Sequence, residues 1–306
     1  MNNHLSSEIG SYLSSGRLVL LDGAIGTELD RRGVDMSMPL WSARAIMEAP
    51  DILGQIHLDY LVSGAEVITA NTFRTHRRNL DRAGLGDRAV ELTERAVAIA
   101  QKACSGTSSR AMVAGSMSPL EDCYSPDLVP TDECLQVEHT EMAHSLIEAG
   151  VDLLLIETMN TVREAVAATT AAVETGCPVL VSVICGSDGR LLSGETVSAA
   201  SEALTPINPD AILINCAPAP DLHRPLAELR ANTSLPVGAY GNVGYMHDDQ
   251  NWVDSDASDP EIYALYAHRW RESGAMVIGG CCGTTPAHIA RIKASLLDPF
   301  VFRDET

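Results

Sequence analysis

The chain alternates between short apolar runs and longer segments of mixed polarity. Eight runs are mostly apolar, at residues 17–22, 66–70, 111–116, 152–157, 178–184, 211–216, 236–240 and 275–280. Several of them are apolar throughout, which is typical of parallel strands that are covered on both faces. The pattern therefore predicts eight buried β-strands.

The segments between these runs have the features of helices. One opens at Asp51, directly after a proline, carries apolar residues four positions apart and stops at Gly64. Another follows Thr131, a predicted N-cap, although Cys134 stands where a capping box needs Glu or Gln. Each predicted strand is therefore followed by a helix or a long loop.

Eight strand–helix units in one chain predict an α/β fold, a (β/α)8 TIM barrel, with residues 1–306 as a single domain. No linker rich in proline, glycine or serine divides the sequence. A doubly wound open sheet is the alternative arrangement for the same units.

Composition and charge narrow the classes of function. The start of the chain lacks the basic and apolar regions of a secretory signal, and no run of 18 apolar residues is present. We therefore expect a cytoplasmic protein that does not enter a membrane. The 41 acidic residues outnumber the 21 basic ones, and the net charge of −20 disfavours nucleic acid as a partner.

Two of the eight cysteines are adjacent, in the stretch GGCCG at residues 279–283. Neighbouring strand residues point to opposite faces, so Cys281 and Cys282 can face one point only if the strand has ended. The flanking glycines supply the backbone freedom that this needs. Metal binding or catalysis explains the pair better than core packing does, and a strained vicinal disulfide is the further alternative.

In a barrel of this kind the chemistry lies where the strands end. Cys216 ends a strand two positions before the strand that leads to Cys281 and Cys282, so the three thiols can meet. Three thiolates with one open position are typical of a catalytic zinc, although Cys216 taken alone is better explained as an inert core residue. The other polar residues at predicted strand ends are Asp22, Asn71, Thr72, Ser116, Glu157, Asn215 and Asn242.

Five motifs, LLDGAIGTELDRRG, ANTF, IETMNT, INC and GGCCGTTPAHIA, resemble in this order the zinc-dependent homocysteine S-methyltransferase family. The similarity runs from about residue 18 to 296. It implies that Cys216, Cys281 and Cys282 are the catalytic zinc ligands, and that Asp22 and Glu157 hold the amino group of homocysteine. It also implies substrate-site roles for Gly23, Thr72 and Asn242, the last as an oxygen ligand before substrate arrives.

Each carboxylate also has a local interpretation, since Asp22 precedes a glycine and Glu157 precedes a predicted helix. By the resemblance, the protein forms methionine by methyl transfer to homocysteine from a small donor, S-methylmethionine or S-adenosylmethionine. Betaine, dimethylsulfoniopropionate and a methyl-corrinoid protein are alternative donors. Thr158 stands where betaine-type relatives carry an aromatic residue. Two further alternatives stay open. The acceptor could be a different thiol or selenohomocysteine, and the protein could be a zinc-binding barrel without catalysis.

The loop at residues 116–130 departs from the family pattern, which leaves the donor side of the site open. Cys123 in this loop is either exposed and reactive or packed. His76 and His247 lie in predicted loops at the mouth of the barrel, the end where the strands finish, and a histidine there can line the donor site.

Overall fold

The computed structural model describes residues 8–107, 110–246 and 252–297. All eight predicted strands are present. The barrel strands are β1 (Val19–Leu20), β2 (Val67–Ala70), β3 (Met112–Met117), β4 (Leu153–Met159), β5 (Val179–Ile184), β6 (Ala211–Pro218), β7 (Val237–Asn242) and β10 (Ala275–Gly280). Two short strands between them, β8 (Gly244–Met246) and β9 (Trp252–Asp254), form an antiparallel hairpin that the sequence analysis did not predict.

The eight barrel strands form one parallel sheet in the order β1-β10-β7-β6-β5-β4-β3-β2. A parallel bridge between Leu21 and Val67 joins its two edges. The Asp22 N–H also donates to the Val67 carbonyl at 3.0 Å. The sheet is therefore a closed (β/α)8 barrel, as predicted, and an open sheet is excluded. The predicted domain limits of 1 and 306 lie beyond the described residues and stay a prediction.

A helix follows every barrel strand. The helices are α1 (Glu8–Ser14), α2 (Gly26–Arg31), α3 (Arg44–Glu48), α4 (Pro50–Ser63), α5 (Arg77–Asp81), α6 (Ala89–Ser105), α7 (Asp132–Glu148), α8 (Val162–Glu174), α9 (Val197–Leu204), α10 (His223–Asn232), α11 (Pro260–Glu272) and α12 (Pro286–Leu297). Gly64 ends α4 with φ +102°, a left-handed conformation that favours glycine. Thr131 caps α7 as predicted, since its hydroxyl accepts from the Cys134 N–H.

Two apolar layers hold the barrel. The larger layer lies between the strands and the helices around them, and the smaller one fills the barrel interior. Ile9 and Leu13 of α1 pack into the interior layer beside Met112 and Leu153, the first residues of β3 and β4. Helix α1 therefore covers the end of the barrel where the strands begin, and the opposite end is left for the site.

Among the described residues, no helix is long and apolar enough to cross a membrane. The longest, α6 and α7, have 17 residues each and carry charged residues along their length.

Candidate metal centre and substrate cavity

Three cysteines meet at the carboxyl ends of the strands. Cys216 lies on β6, whereas Cys281 and Cys282 follow β10, and β7 runs between these two strands. The three Sγ atoms all lie within 4.8 Å of one another, and those of Cys216 and Cys282 are 3.9 Å apart. Sulfurs held tetrahedrally at zinc lie about 3.8 Å apart, so the distance between the sulfurs of Cys216 and Cys282 is the one expected at such an ion.

The backbone around each cysteine is fixed by its neighbours. Cys216 has φ +54°, where the register between β6 and β7 shifts, so a bulge turns its thiol toward the mouth. The Cys281 N–H donates to the Gly241 carbonyl on β7 at 2.8 Å. Gly283 has φ +81°, and a Cβ there would lie 2.3 Å from a methyl carbon of Val243. The turn after β10 therefore requires glycine.

Asn242 joins the two halves of the cysteine cluster. Its Nδ2 donates to the Cys216 carbonyl at 2.8 Å, and its Oδ1 accepts from the Cys282 N–H at 3.0 Å. Both polar ends of this buried amide hold the backbone of a cysteine. Its predicted role as a displaceable metal ligand stays a prediction, and the described contacts make it a positioning residue.

Charge is unevenly distributed within the cluster. Hydrogen bonds from Cys281 and Cys282 hold the pKa of the Cys216 thiol well below its usual range. The same contacts raise the pKa values of the Cys281 and Cys282 thiols, because a second thiolate would face the charge on Cys216. A cation among the three sulfurs would remove this repulsion, which is a further reason why the donor set suits a metal ion.

Replacing Asn242 with alanine is expected to weaken metal binding by about 10- to 100-fold while the barrel stays folded. The substitution removes both hydrogen bonds that orient the cysteine backbones, but it leaves all three thiols in place. Competition with a chelator measures the affinity, and circular dichroism checks the fold. Unchanged affinity would show that the strands alone position the sulfurs.

Two carboxylates from separate strands line the same end of the barrel. Asp22 follows β1, and its carboxylate accepts from the Thr69 N–H at 2.7 Å and the Thr69 hydroxyl at 2.9 Å. Glu157 on β4 accepts from the hydroxyls of Ser116 and Tyr240. Burial raises the pKa of each carboxyl to about 7, because their hydrogen bonds only partly replace water. A cationic group bound between them would favour the ionised forms.

The backbone after Glu157 is unusual and is held by Asn215. Thr158 has φ +65° where the register between β4 and β5 shifts, so β4 carries a second bulge beside the site. Asn215 accepts from the Thr158 N–H at 3.0 Å and donates to its hydroxyl at 2.9 Å. This pair therefore stabilises the conformation that directs Glu157 into the mouth.

The cysteines and carboxylates share one cavity of about 350 Å³. Aromatic side chains form part of its wall, and the rings of Trp41 and Phe73 meet edge to face at 6.0 Å. The Tyr124 hydroxyl lies 3.5 Å from Cys216 Sγ. The sequence analysis missed Tyr124, and the only signal for it was its place beside Cys123. The lining includes Asp22, Gly23, Met38, Trp41, Asn71, Phe73, Arg74, Ser116, Asp122, Cys123, Tyr124, Glu157, Cys216, Trp252, Cys281 and Cys282.

Two other predicted substrate contacts differ in their surroundings. Gly23 lines the cavity, and a Cβ there would come within 2.7 Å of Thr284 Oγ1, so the position requires glycine. Thr72 is fully buried, and its hydroxyl donates to the Ser116 carbonyl and accepts from the Ser116 N–H, both at 2.9 Å. Thr72 is absent from the described cavity wall, and a substrate contact for it stays a prediction.

The loop at residues 116–130 supplies residues that the sequence left open. Cys123 is buried and lines the cavity, so of its two predicted alternatives the packed thiol is confirmed and the exposed one is excluded. His76 is buried at the start of α5 and is absent from the described wall of this cavity, which corrects its predicted place at the mouth. His247 lies outside the described residues.

Several known proteins are similar to this chain in both sequence and fold. The family model for homocysteine S-methyltransferase matches residues 19–296. Homocysteine S-methyltransferase YbgG of Bacillus subtilis is 31% identical, covering 94% of this chain and 96% of its own. Homocysteine S-methyltransferase of Escherichia coli K12 is 33% identical, covering 94% and 98%. The metallated crystal structure of the homocysteine methyltransferase MmuM from Escherichia coli superposes with a TM-score of 0.81 at 29% identity, covering 95% and 99%. The chain belongs to the homocysteine S-methyltransferase family.

Proposed function

We propose that this protein transfers a methyl group from a small donor, S-methylmethionine or S-adenosylmethionine, to the thiol of L-homocysteine and so forms methionine. The resident metal is Zn²⁺, held by Cys216, Cys281 and Cys282. The observation that carries the proposal is the meeting of three thiols and two buried carboxylates in one cavity. An amino acid with a thiol suits both sets of groups, because its ammonium can pair with the carboxylates and its sulfur can join the three thiols at the metal.

The chain's own residues bind and orient the acceptor. Asp22 and Glu157 provide opposite charge for the homocysteine ammonium, and their hydrogen bonds to Thr69 and Ser116 fix where that charge lies. Zn²⁺, when bound, lowers the pKa of an added thiol and supplies a nucleophilic sulfur at neutral pH. Because the carboxylates and the cysteines line the same cavity, the amino group and the sulfur are held together.

The donor side of the cavity is bounded by Trp41, Phe73 and Tyr124. Aromatic faces attract a positively charged methyl compound, and they also exclude water from the methyl group in transit. A neutral leaving group departs more easily than an anion, which favours a sulfonium or ammonium donor. The acidic chain, with its net charge of −20, attracts such cations.

A donor panel tests this function. Zinc-loaded protein is incubated with homocysteine and, in separate reactions, S-methylmethionine, S-adenosylmethionine, betaine and dimethylsulfoniopropionate, and methionine is quantified. Turnover with a sulfonium donor, lost on metal removal and restored by Zn²⁺, is the expected result. Full activity in metal-free protein would contradict the mechanism. Stoichiometric zinc without turnover of any donor would instead favour a binding barrel.

The value of kcat/KM for homocysteine is expected to fall at least about tenfold between pH 8 and pH 6 at saturating donor. Burial raises the pKa values of Asp22 and Glu157 to about 7. As the pH falls below 7, both carboxyls take up protons and lose the charge that binds the ammonium group. The pH profile of Asp22→Asn, which has one titrating carboxyl fewer, should be flatter over this range. A wild-type profile that is level to pH 6 would contradict the prediction.

A further inference from the structure

A single arginine is buried in the wall of the substrate cavity. Arg74 lies four residues beyond the end of β2, is 7% exposed and lines the cavity beside Phe73. Among the described residues it is the only buried arginine. A guanidinium keeps its positive charge even when it is buried. The cavity therefore contains a fixed positive charge.

This charge has no anionic partner among the described residues. The Arg74 Nε has no hydrogen-bond partner, and no described carboxylate lies within ion-pair distance of the guanidinium. Its nearest described ring is that of Phe73, with the guanidinium carbon 5.4 Å from the ring centroid. By contrast, Arg77 and Arg78 both pair with glutamates of α7. An unpaired buried charge is costly, which points to an anion that arrives with a ligand.

A third carboxylate in the lining of the cavity, besides those of Asp22 and Glu157, is already engaged. Asp122 lines the cavity, but its carboxylate accepts from the Tyr124 N–H at 3.0 Å and the Ser125 hydroxyl at 3.4 Å. It makes no described ion pair with Arg74. None of the described carboxylates therefore pairs with Arg74.

Arg74 and the two carboxylates come from different segments of the chain that line the same cavity. Asp22 and Glu157 are at the strand ends, next to β2 and β3, where Thr69 and Ser116 hold them. Arg74 directly follows Phe73 in the loop after β2, and the Phe73 ring packs against Trp41. Aromatic faces attract onium cations, so this wall offers a place for a cation and, beside it, a partner for an anion.

We propose that Arg74 binds the carboxylate of the methyl donor, and that the donor is a sulfonium or quaternary ammonium compound that carries a carboxylate. This inference rests on the proposed methyl transfer. The thiol proton leaves to solvent, and an electron pair of the homocysteine sulfur forms the new bond to the methyl carbon. The bond from that carbon to the donor heteroatom breaks, and its electron pair neutralises the heteroatom. Arg74 holds the carboxylate before and after this step.

Matched donors isolate the carboxylate. The kcat/KM for S-methylmethionine and for dimethylsulfoniopropionate is compared in each case with that for the primary amide of the same compound. The amide is nearly the same size as the acid and has no negative charge. Wild type is expected to prefer each acid over its amide in kcat/KM, mainly through KM for the donor. In Arg74→Gln this preference should shrink by about 30- to 100-fold, because a buried charge pair is lost. Arg74→Lys should recover part of it.

Arg95→Gln is the matched control, since Arg95 is exposed on α6 and the change in net charge is the same. An equal loss with acid and amide in Arg74→Gln would overturn the proposal. A rise in KM for homocysteine with KM for the donor unchanged would also overturn it, because Arg74 would then bind the acceptor.

A binding measurement separates this inference from the proposed function. If none of the donors supports methylation of homocysteine by wild type, the proposed function is wrong. Tryptophan fluorescence titration with dimethylsulfoniopropionate and its amide then tests the role of Arg74 alone. Tighter binding of the acid than of the amide by wild type, but not by Arg74→Gln, would support carboxylate recognition. Equal affinities of the two proteins for the acid would overturn it.

Discussion

Replacing Cys281 with alanine is expected to remove the bound metal and to lower methionine formation by about 3 × 10³-fold. One sulfur of the three is lost, and the other two sulfurs leave the ion underligated. Without the ion, only about 3% of a free thiol is ionised at pH 7, which costs about 30-fold. Loss of the fixed position of the homocysteine sulfur costs about a further 10²-fold.

Metal content by mass spectrometry and methionine formation are measured on the same preparations. Cys134→Ala serves as the control, because Cys134 is half-exposed on α7 and lies outside the three-thiol cluster. It should keep both metal and activity. Activity in Cys281→Ala close to wild type, with or without metal, would show that the cluster is not the site of thiol activation.

The sequence was sufficient to predict the barrel because its strands are buried on both faces. Segments such as residues 153–156 and 179–181 are apolar throughout, and a strand of this kind needs helices on one side and a packed barrel on the other. The glycines around Cys281 and Cys282 likewise marked the point where β10 ends. In a barrel with this strand order, Cys216 lies two strands from the strand that leads to Cys281 and Cys282. The topology therefore brings the three thiols together.

Other features depend on long-range contacts that no local pattern encodes. Helix α1 is short, and its place in the barrel depends on Ile9 and Leu13 meeting residues far along the chain. Asn242 was assigned from resemblance as a ligand, whereas its two hydrogen bonds to cysteine backbones depend on bulges that sequence cannot show. The sequence around Arg74 does not distinguish it from an ordinary surface arginine, because its burial depends on the folded structure.

The site also contains local conformations that a regular strand would avoid. Thr158 and Cys216 both have positive φ, which is unfavourable for residues with a Cβ, and both lie beside a functional group. Hydrogen bonds from Asn215 and Asn242 maintain these conformations. The strained backbone thus coincides with residues that line the cavity, and strain of this kind is often kept at functional sites.

Glu157→Gln is expected to lower kcat/KM for homocysteine by about a hundredfold and yet to stabilise the metal-free protein. The loss of activity follows because a neutral amide cannot pair with the substrate ammonium, and a buried charge pair is worth about 3 kcal/mol or more. The gain in stability follows because burial raises the pKa of Glu157 from 4.5 to about 7. Keeping this carboxylate ionised in the folded protein therefore costs free energy.

The sign of the pH dependence follows from the raised pKa. Below about pH 4.5 the carboxyl is protonated in both the folded and the unfolded chain, so it contributes no difference. As the pH rises from 4.5 through 7, the unfolded chain loses this proton first, and the folded state is progressively destabilised. Above pH 7 the cost reaches about 3 kcal/mol. Glutamine does not titrate and avoids this cost.

Thermal unfolding of metal-free protein at pH 5 and pH 8 tests the second half of the prediction. The melting temperature of Glu157→Gln should exceed that of wild type by about 5 °C at pH 8, and by much less at pH 5. Glu94→Gln, at an exposed position on α6, removes the same charge and should change neither activity nor melting. A variant that is less stable than wild type at pH 8 would show that the Ser116 and Tyr240 hydroxyls already compensate the buried charge. In that case Glu157 would be a stabilising residue, and its burial would not be a cost that substrate binding recovers.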